Sequence, residues 1–304
     1  MQMNALVSVV IPTYNHAHFL VQSLQSVLDQ TYPHWEALVV DNHSQDNTDE
    51  VVRGFGDPRI RLLKIHNQGV IAASRNLGIR EAAGKWIAFL DSDDRWYPQK
   101  LQIVMAAAEP GDAYDVLSTD EVMVDARSGA RTILRYGPYE IDFYRILLVE
   151  GNRLSPSATV IRRVFLARHG LAFNESPDYV TVEDYGFWLD VARAGARFKF
   201  IRDVQGEYLI HGDNNSTRLA RHWKNSESLL RDHVFGIQRF DASPENLWKQ
   251  IAVRLELGKI RPLIANGESA SALGLGLKTL VNFPCETARH LYARSRKKFR
   301  MMNS

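Results

Sequence analysis

Val7-Ser-Val-Val-Ile11, closed by Pro12, is an apolar, β-branched run without polar alternation, the pattern of a strand covered on both faces and stopped abruptly. Downstream, Leu20, Leu24, Val27 and Leu28 recur at three- and four-residue spacing within 17–29, which predicts a helix laying one stripe on a sheet. A second strand, 37–40, ends at Asp41. Ser44 then offers a helix N-cap, with Asp46, Asp49 and Glu50 at the positive end of that helix dipole. The cadence repeats with a strand over 60–65, a helix over 69–83 stopped by Gly84, and a strand over 86–90. Strands alternating with helices imply βαβ units and a largely parallel sheet. Ligands of such sheets gather outside the carboxyl ends of the strands. The segments expected there, Pro12–His16, Asp41–Ser44 and Asp91–Asp94, are all polar.

Regularity declines further on. After the helix that follows Pro98, a strand is predicted over 115–119 and a hairpin over 121–134 turning at Ser128-Gly129. Residues 140–216 mix short elements, among them a helix over 184–194 and a strand pair near Phe198 and Tyr208. From Thr217 on, helical patterns dominate, broken by Pro244, Pro262 and Pro284. With 37 Lys+Arg against 35 Asp+Glu, 45% hydrophobic and 24% charged residues in 304, the chain has the balance of an ordinary soluble globular protein. Its global charge gives no reason to expect nucleic acid as a partner. The single Cys285 forms no intrachain disulfide, which fits a reducing compartment. No stretch approaches the roughly 18 apolar residues of a membrane span. The expected location is cytoplasmic, or peripheral at the inner face of the membrane. Arg289, Arg294, Arg296, Lys297, Lys298 and Arg300 form a basic tail with no acid after Glu286. A solvated helix end is the plainer reading, with a contact for nucleic acid or for an anionic membrane surface as the alternatives.

Asp91-Ser92-Asp93-Asp94 places three carboxylates within four residues at the ligand-binding edge. They repel one another unless a cation neutralises them, and hard oxygen ligands select Mg²⁺ or Mn²⁺. An acidic turn capping the next helix is the plainer reading of that motif alone. A second carboxylate pair, Glu183-Asp184, lies in Thr181-Val-Glu-Asp-Tyr-Gly-Phe-Trp188, where capping a helix that packs Phe187, Trp188 and Val191 inward is again the plainer account.

These motifs do not stand alone. Val9-Val-Ile-Pro-Thr-Tyr-Asn15, Asp41-Asn-His-Ser-Gln-Asp-Asn-Thr48, Ala73-Ser-Arg-Asn-Leu-Gly78 and Asp91-Ser-Asp-Asp-Arg-Trp96, in that order, resemble the family 2 glycosyltransferases of GT-A fold. The match is strong over residues 7 to about 101 and weaker to about 217. The resemblance implies an α/β fold, a GT-A (Rossmann-like), mainly parallel sheet flanked by helices and followed by a mostly helical C-terminal region. It divides the chain into a catalytic domain, 1–217, and a helical extension with the basic tail, 218–304. Within the former, 1–120 would bind the nucleotide-sugar and 121–217 the acceptor.

Position by position, the resemblance implies that Pro12, Thr13 and Tyr14 line the nucleobase pocket and that Asp41 accepts a hydrogen bond from an imide N–H of the base. Arg75 would contact the donor, Asp91 with Ser92 would face the ribose, and Asp93 would hold Mn²⁺ or Mg²⁺ on the diphosphate. His211 would join Asp93 on the metal. Asp184 would be the base that takes the acceptor proton, with Glu183 in support. Where many relatives have a second acid after Asp41, this chain has Asn42, and uridine and thymidine donors share the imide that Asp41 would read. His16 and His18 are candidates to meet phosphates, with surface residues near a helix start the plainer reading, and Trp96 and Trp188 read as packing residues. The loop Gly212–Thr217 is polar enough to close over a donor.

The implied reaction is an inverting, metal-dependent transfer from a UDP- or dTDP-type sugar to a hydroxyl of a saccharide or lipid-linked glycan, in bacterial-type surface polysaccharide assembly. Transfer would be non-processive, since the membrane spans and the Gln-x-x-Arg-Trp motif of processive synthases are not found. A nucleotidyltransferase is the neighbouring alternative, but it usually carries a glycine-rich phosphate loop and 12–18 has no glycine. A catalytically inactive nucleotide-sugar-binding scaffold is the other.

Overall fold

The structure, a computed structural model, describes residues 5–108, 113–211, 219–265 and 267–292. The first elements are β1 (Val7–Thr13), α1 (Ala17–Leu28), β2 (Trp35–Asp41), α2 (Thr48–Gly54), β3 (Ile60–Lys64), α3 (Ile71–Glu81) and β4 (Trp86–Phe89). Then follow β5 (Arg95–Trp96), α4 (Lys100–Ala108), β6 (Val116–Asp125), β7 (Arg131–Leu134), α5 (Phe143–Glu150), β8 (Thr159–Arg162), α6 (Arg163–His169), α7 (Glu183–Arg193) and β9 (Phe198–Ile210). The remainder is helical: α8 (Leu219–Arg231), α9 (Pro244–Ala265) and α10 (Ser269–Asn282). The described residues divide into two compact units, 1–144 with 152–222, and 145–151 with 223–304.

In the first unit the strands run β3-β2-β1-β4-β8-β6-β9-β5, with β7 beside β6. Val7 lies opposite both Trp35 and Trp86 in parallel register, and β2 pairs β3 the same way. Beyond β4 the sheet is mixed: β8 is antiparallel to β4 and β6, and β9 runs parallel to β6. All seven residues of β1 are buried, as its unbroken apolar run requires. Leu20, Leu24 and Val27 of α1 are fully buried in the same core as Val9, Ile11 and Val39. Emptying one such position, as in Leu24→Ala, costs about 2–5 kcal/mol. Gly78 lets α3 lie against β1, since a Cβ there would sit 2.3 Å from Val10 Cγ1.

Four expectations are corrected. The first strand continues through Pro12 to Thr13. Thr13 O faces β2, where it accepts Asn42 N–H, and Val10 O faces β4, where it accepts Leu90 N–H. Pro12 shares the parity of Val10, and β4 pairing ends at Val10, so its missing N–H falls where no partner strand needs it. Ser44 does not cap α2. Its hydroxyl and N–H turn to Asp41, and the helix begins at Thr48, whose N–H donates to Asp46 Oδ1 at 3.2 Å. The strand pair near Phe198 and Tyr208 is one thirteen-residue strand, and the polar Arg202-Asp203 sits where its pairing with β6 shifts register. Pro262 lies inside α9, close enough to its end that only the final turn loses a hydrogen bond.

In the second unit, Gly258 of α9 lies flat beneath Trp223, where a Cβ would come 2.8 Å from the indole. Arg231 stacks its guanidinium 4.2 Å over Trp248. No helix among the described residues is long and apolar enough to cross a membrane. Residues 212–218 and 293–304 lie outside the described residues, and with them the expected closing loop and most of the basic tail.

Candidate active site

The carboxyl ends of β1, β2 and β4 open on a cleft of about 570 Å³. Its near wall is laced together by side chains. Ser44 Oγ accepts Asn15 N–H at 2.8 Å, Asn15 Oδ1 accepts Gln45 N–H at 2.7 Å, and Asp46 Oδ2 accepts Ala17 N–H at 2.9 Å. These bonds join the segment after β1 to the segment after β2. Pro12, Thr13 and Tyr14 line the cleft as a result, and so does Asn42, whose Oδ1 accepts Asn67 N–H at 2.8 Å. Asp41 does not line it: the carboxylate is fully buried, bonded to Ser44 and to Lys64 Nζ at 2.6 Å.

The turn after β4 is anchored from the far half of the sheet. Ser157 Oγ accepts Asp91 N–H at 3.1 Å and donates to Asp94 Oδ2 at 2.5 Å. Asp94 Oδ1 accepts Leu209 N–H at 3.0 Å, which holds the end of β9 beside the acidic turn. Two residues further, His211 Nε2 lies 2.9 Å from Asp93 Oδ2. Asp91, Ser92 and Asp93 all line the cleft. Burial first, and then the charge of Asp91, raises the Asp93 carboxyl above its ordinary value, with the His211 contact opposing. Burial, with Asp93 and Asp91, raises Asp94 much further.

The second carboxylate site begins α7. Thr181 precedes it with φ +77°, a costly conformation for a β-branched residue, and its carbonyl accepts His222 Nδ1 at 3.1 Å. Phe187 and Trp188 are buried, with Phe187 stacked on Phe173 at 4.0 Å, so the opposite side of the first turn presents Glu183 and Asp184 to the cleft. Burial and then repulsion from Glu183 push the Asp184 carboxyl up to about 7, against the pull of Arg75. Asn152 Nδ2 donates to Asp184 Oδ2 at 3.3 Å.

Arg75 joins the two acidic sites. It is 3% exposed; Nη2 donates to Asp91 Oδ1 at 2.8 Å and Nη1 to Glu183 Oε1 at 3.1 Å. Neighbouring charges outweigh burial and raise its already high pKa. Although it lines the cleft, both terminal nitrogens are therefore engaged by carboxylates. Thr13 Oγ1, Thr181 Oγ1 and Glu183 Oε2 are buried cleft atoms without a hydrogen-bond partner, left to be satisfied by a ligand.

Sequence reasoning missed several cleft residues. His16, for which a surface position is the plainer reading of the sequence and a phosphate contact the alternative, faces Ser92 Oγ at 3.2 Å and lies 6.0 Å, ring to ring, from His211. Its place at the carboxyl end of β1 was a usable signal. Tyr136, Ser155 and Tyr208 line the far wall, and no local pattern marks them. Trp96 and Trp188 are buried, and Trp96 Nε1 donates to Ser157 O at 2.8 Å, as packing residues do.

Among the described residues no group of three or more His, Cys, Asp or Glu side chains converges for a metal. The Asp93–His211 pair is nevertheless a suitable donor set: a hard carboxylate and an imidazole, in a place where crowded acids disfavour ionisation without a cation. Two protein ligands suffice for an ion that takes its other oxygens from substrate phosphates and water.

The half-parallel α/β sheet, with a cleft at its strand ends and helices after it, is of GT-A type in fold. The chain belongs to glycosyl transferase family 2, whose model matches residues 8–170, and it is a glycosyltransferase. It is 32% identical over 188 residues, 62% of this chain and 70% of that protein, to the Escherichia coli UDP-Glc:alpha-D-GlcNAc-diphosphoundecaprenol beta-1,3-glucosyltransferase WfgD. In fold it resembles S. aureus TarS 1–349 in complex with UDP-GlcNAc (TM-score 0.62, 17% identity, 94% of this chain and 92% of that one), while it spans 43% of the longer S. aureus TarS chain. It also resembles the mannosyltransferase PcManGT from Pyrobaculum calidifontis in complex with GDP-Man and Mn²⁺ (TM-score 0.61, 20% identity, 97% and 83% covered).

Proposed function

We propose that the protein transfers one hexose, with inversion, from a UDP- or dTDP-sugar to a hydroxyl of a lipid-linked saccharide in surface polysaccharide assembly. The observation that carries this reading is Arg75, which holds Asp91 of the donor motif and Glu183 of the base motif on one guanidinium. A displacement needs the activated hydroxyl and the departing diphosphate on opposite sides of one anomeric carbon. The two ends of that arrangement are here tied together.

Pro12, Thr13 and Tyr14 flank the base, and Asp91 and Ser92 face the ribose. For Asp41 to accept an imide proton, its contacts with Lys64 and Ser44 must give way or be shared. Asn42 and Asn67, already at the cleft wall, offer the remaining polar contacts. Asp93 and His211 would hold Mn²⁺ or Mg²⁺, which when bound supplies charge stabilisation for the leaving diphosphate. Asp184 takes the acceptor proton, and its raised carboxyl is matched to a hydroxyl at neutral pH. Glu183, held by Arg75, positions Asp184 and keeps an oxygen for the acceptor. Residues 1–120 form the donor half, 121–217 the acceptor half, and 218–304 the extension.

The acceptor in the name of WfgD supports a lipid-linked acceptor, and α10 supports contact with a membrane surface, which we place at the cytoplasmic face. Leu273, Leu277, Leu280 and Val281 are each at least 47% exposed and repeat at helical spacing, an apolar face suited to a lipid surface. The test of the core proposal is a thermal-shift panel of UDP, dTDP and GDP with and without Mn²⁺, followed by anomeric analysis of the product by NMR. A Mn²⁺-dependent shift with UDP or dTDP and an inverted product are expected. Retained configuration removes Asp184 as the base.

A further inference from the structure

We propose that a second cavity, about 250 Å³, is a subsite for an anionic sugar residue of the acceptor, one bearing a carboxylate or a phosphate. The proposal rests on the reading of the main cleft as a saccharide-acceptor site.

The cavity adjoins that cleft through Tyr136, which lines both. Neighbouring residues of β6 point to opposite sides of the sheet, and Tyr136 is fixed from both. Its N–H donates to Asp120 Oδ1 at 3.0 Å and its hydroxyl to the buried Glu121 Oε2 at 3.0 Å. In this proposal an acceptor chain that leaves the cleft past this ring would reach the second cavity. There Tyr139, which is 46% exposed, stacks on the buried Phe198 at 6.1 Å and 17°, and Phe198 on Phe200 at 6.4 Å and 9°, so an aromatic stack backs a tyrosine ring suited to the C–H side of a pyranose. Gly137, at φ +77°, keeps the intervening segment close, since a Cβ there would fall 2.5 Å from Phe200 Cγ.

Charge selects the occupant. The lining carries Arg135, Lys199 and Arg202 against Asp120 alone. Arg135 is paired with Asp120 at 3.2 Å. Lys199 lies 5.1 Å over the Tyr114 ring, and the charge of Arg202, like that of Arg135, acts on the Asp120 carboxylate. Three cations against one carboxylate leave an excess of positive charge beside an aromatic floor, which matches an anion carried on a sugar ring. The volume is below the roughly 300–1,000 Å³ of a whole small-ligand site, which fits one residue of a longer chain.

The test measures binding to the full chain by saturation-transfer NMR and calorimetry. The probes are methyl β-glucuronide, glucose 6-phosphate and neutral methyl β-glucoside, with UDP as the donor-site control. For wild type, we expect at least one anionic probe to bind about fivefold or more tightly than the neutral one, with the preference weakening as salt is raised. The tighter of the two identifies a uronate or a phosphate as the ligand. In K199A/R202A the preference disappears while UDP binding is unchanged, and R202E alone weakens the anionic probe selectively. Equal binding of all three sugars to wild type, or an undiminished preference in the double variant, overturns the subsite if UDP still binds. Failure of UDP to bind wild type overturns the donor-cleft reading, and the acceptor subsite with it.

Discussion

Replacing Asp184 by Asn removes the base but keeps the shape, since the amide oxygen can still accept from Asn152 Nδ2 and from the Tyr185 N–H. A general base contributes about 10²–10⁴-fold, so D184N is expected to lose transfer activity by that factor. Wild-type kcat/KM for the acceptor should fall tenfold per pH unit below about 7, where Asp184 takes up its proton. The same carboxylate makes a distinct prediction for stability. Its folded pKa lies above its unfolded value of 3.8, so the folded state holds the proton more tightly. Stability is therefore lost as pH rises from about 4 through 7, and the penalty is full above 7. At about 1.4 kcal/mol per unit, the ceiling is about 4 kcal/mol. Asp184 keeps some contact with solvent, which screens the charge, and about 1–2 kcal/mol is the expected gain for D184N at pH 8. That corresponds to a Tm rise of about 2–6 °C, shrinking toward zero as the pH falls below 4. Calorimetric melts of both proteins from pH 4 to 8, beside initial rates over the range in which wild type stays folded, test the two effects together. A D184N enzyme within tenfold of wild type removes the base assignment. A Tm difference that does not change with pH refutes the electrostatic account of the site.

Arg75→Ala leaves the buried Glu183 and the partly buried Asp91 without their cation. It should cost about 3–5 kcal/mol in urea unfolding, with Arg75→Lys recovering part because an ammonium cannot fork to both; a loss below about 1 kcal/mol for Ala would show that the tie is not structural. Asp93→Ala and His211→Ala should each abolish the Mn²⁺-dependent part of UDP stabilisation, which in wild type at a hundredfold excess over Kd is about 2.7 kcal/mol; a metal effect that persists in both relocates the ion. Leu277→Glu with Val281→Glu should reduce co-sedimentation of the full chain with anionic vesicles at least about tenfold, because each aliphatic side chain withdrawn from lipid forfeits about 1.5–3 kcal/mol. Unchanged sedimentation would remove α10 as the membrane contact.

What could be read along the chain was whatever local chemistry repeats or clusters. The β-branched run 7–11 needs cover on two faces, and the stripe at Leu20, Leu24 and Val27 needs one, so β1 and α1 were legible together with the parallel pairing they imply. Legibility failed where the determining contact is distant in sequence. Ser44 has the chemistry of a cap, but its neighbour Asp41 claims it, in a corner fixed by Lys64, which β3 brings alongside from 23 residues away. β9 looked like two strands because Arg202-Asp203 is polar, and only its pairing to β6 carries the chain through the register shift. The acidic motifs were visible as clusters of like charge, which made them candidates for function without saying that they face one cleft. That fact depends on Arg75 reaching Glu183, 108 residues away, and no periodicity encodes it. The acidity of Asp184 is hidden for the same reason: its causes are burial in the cleft wall and the balance between Glu183 and Arg75, both products of packing. A motif therefore names the groups available for catalysis, whereas their protonation at neutral pH, and hence which of them can act as a base, is decided by the contacts that folding supplies.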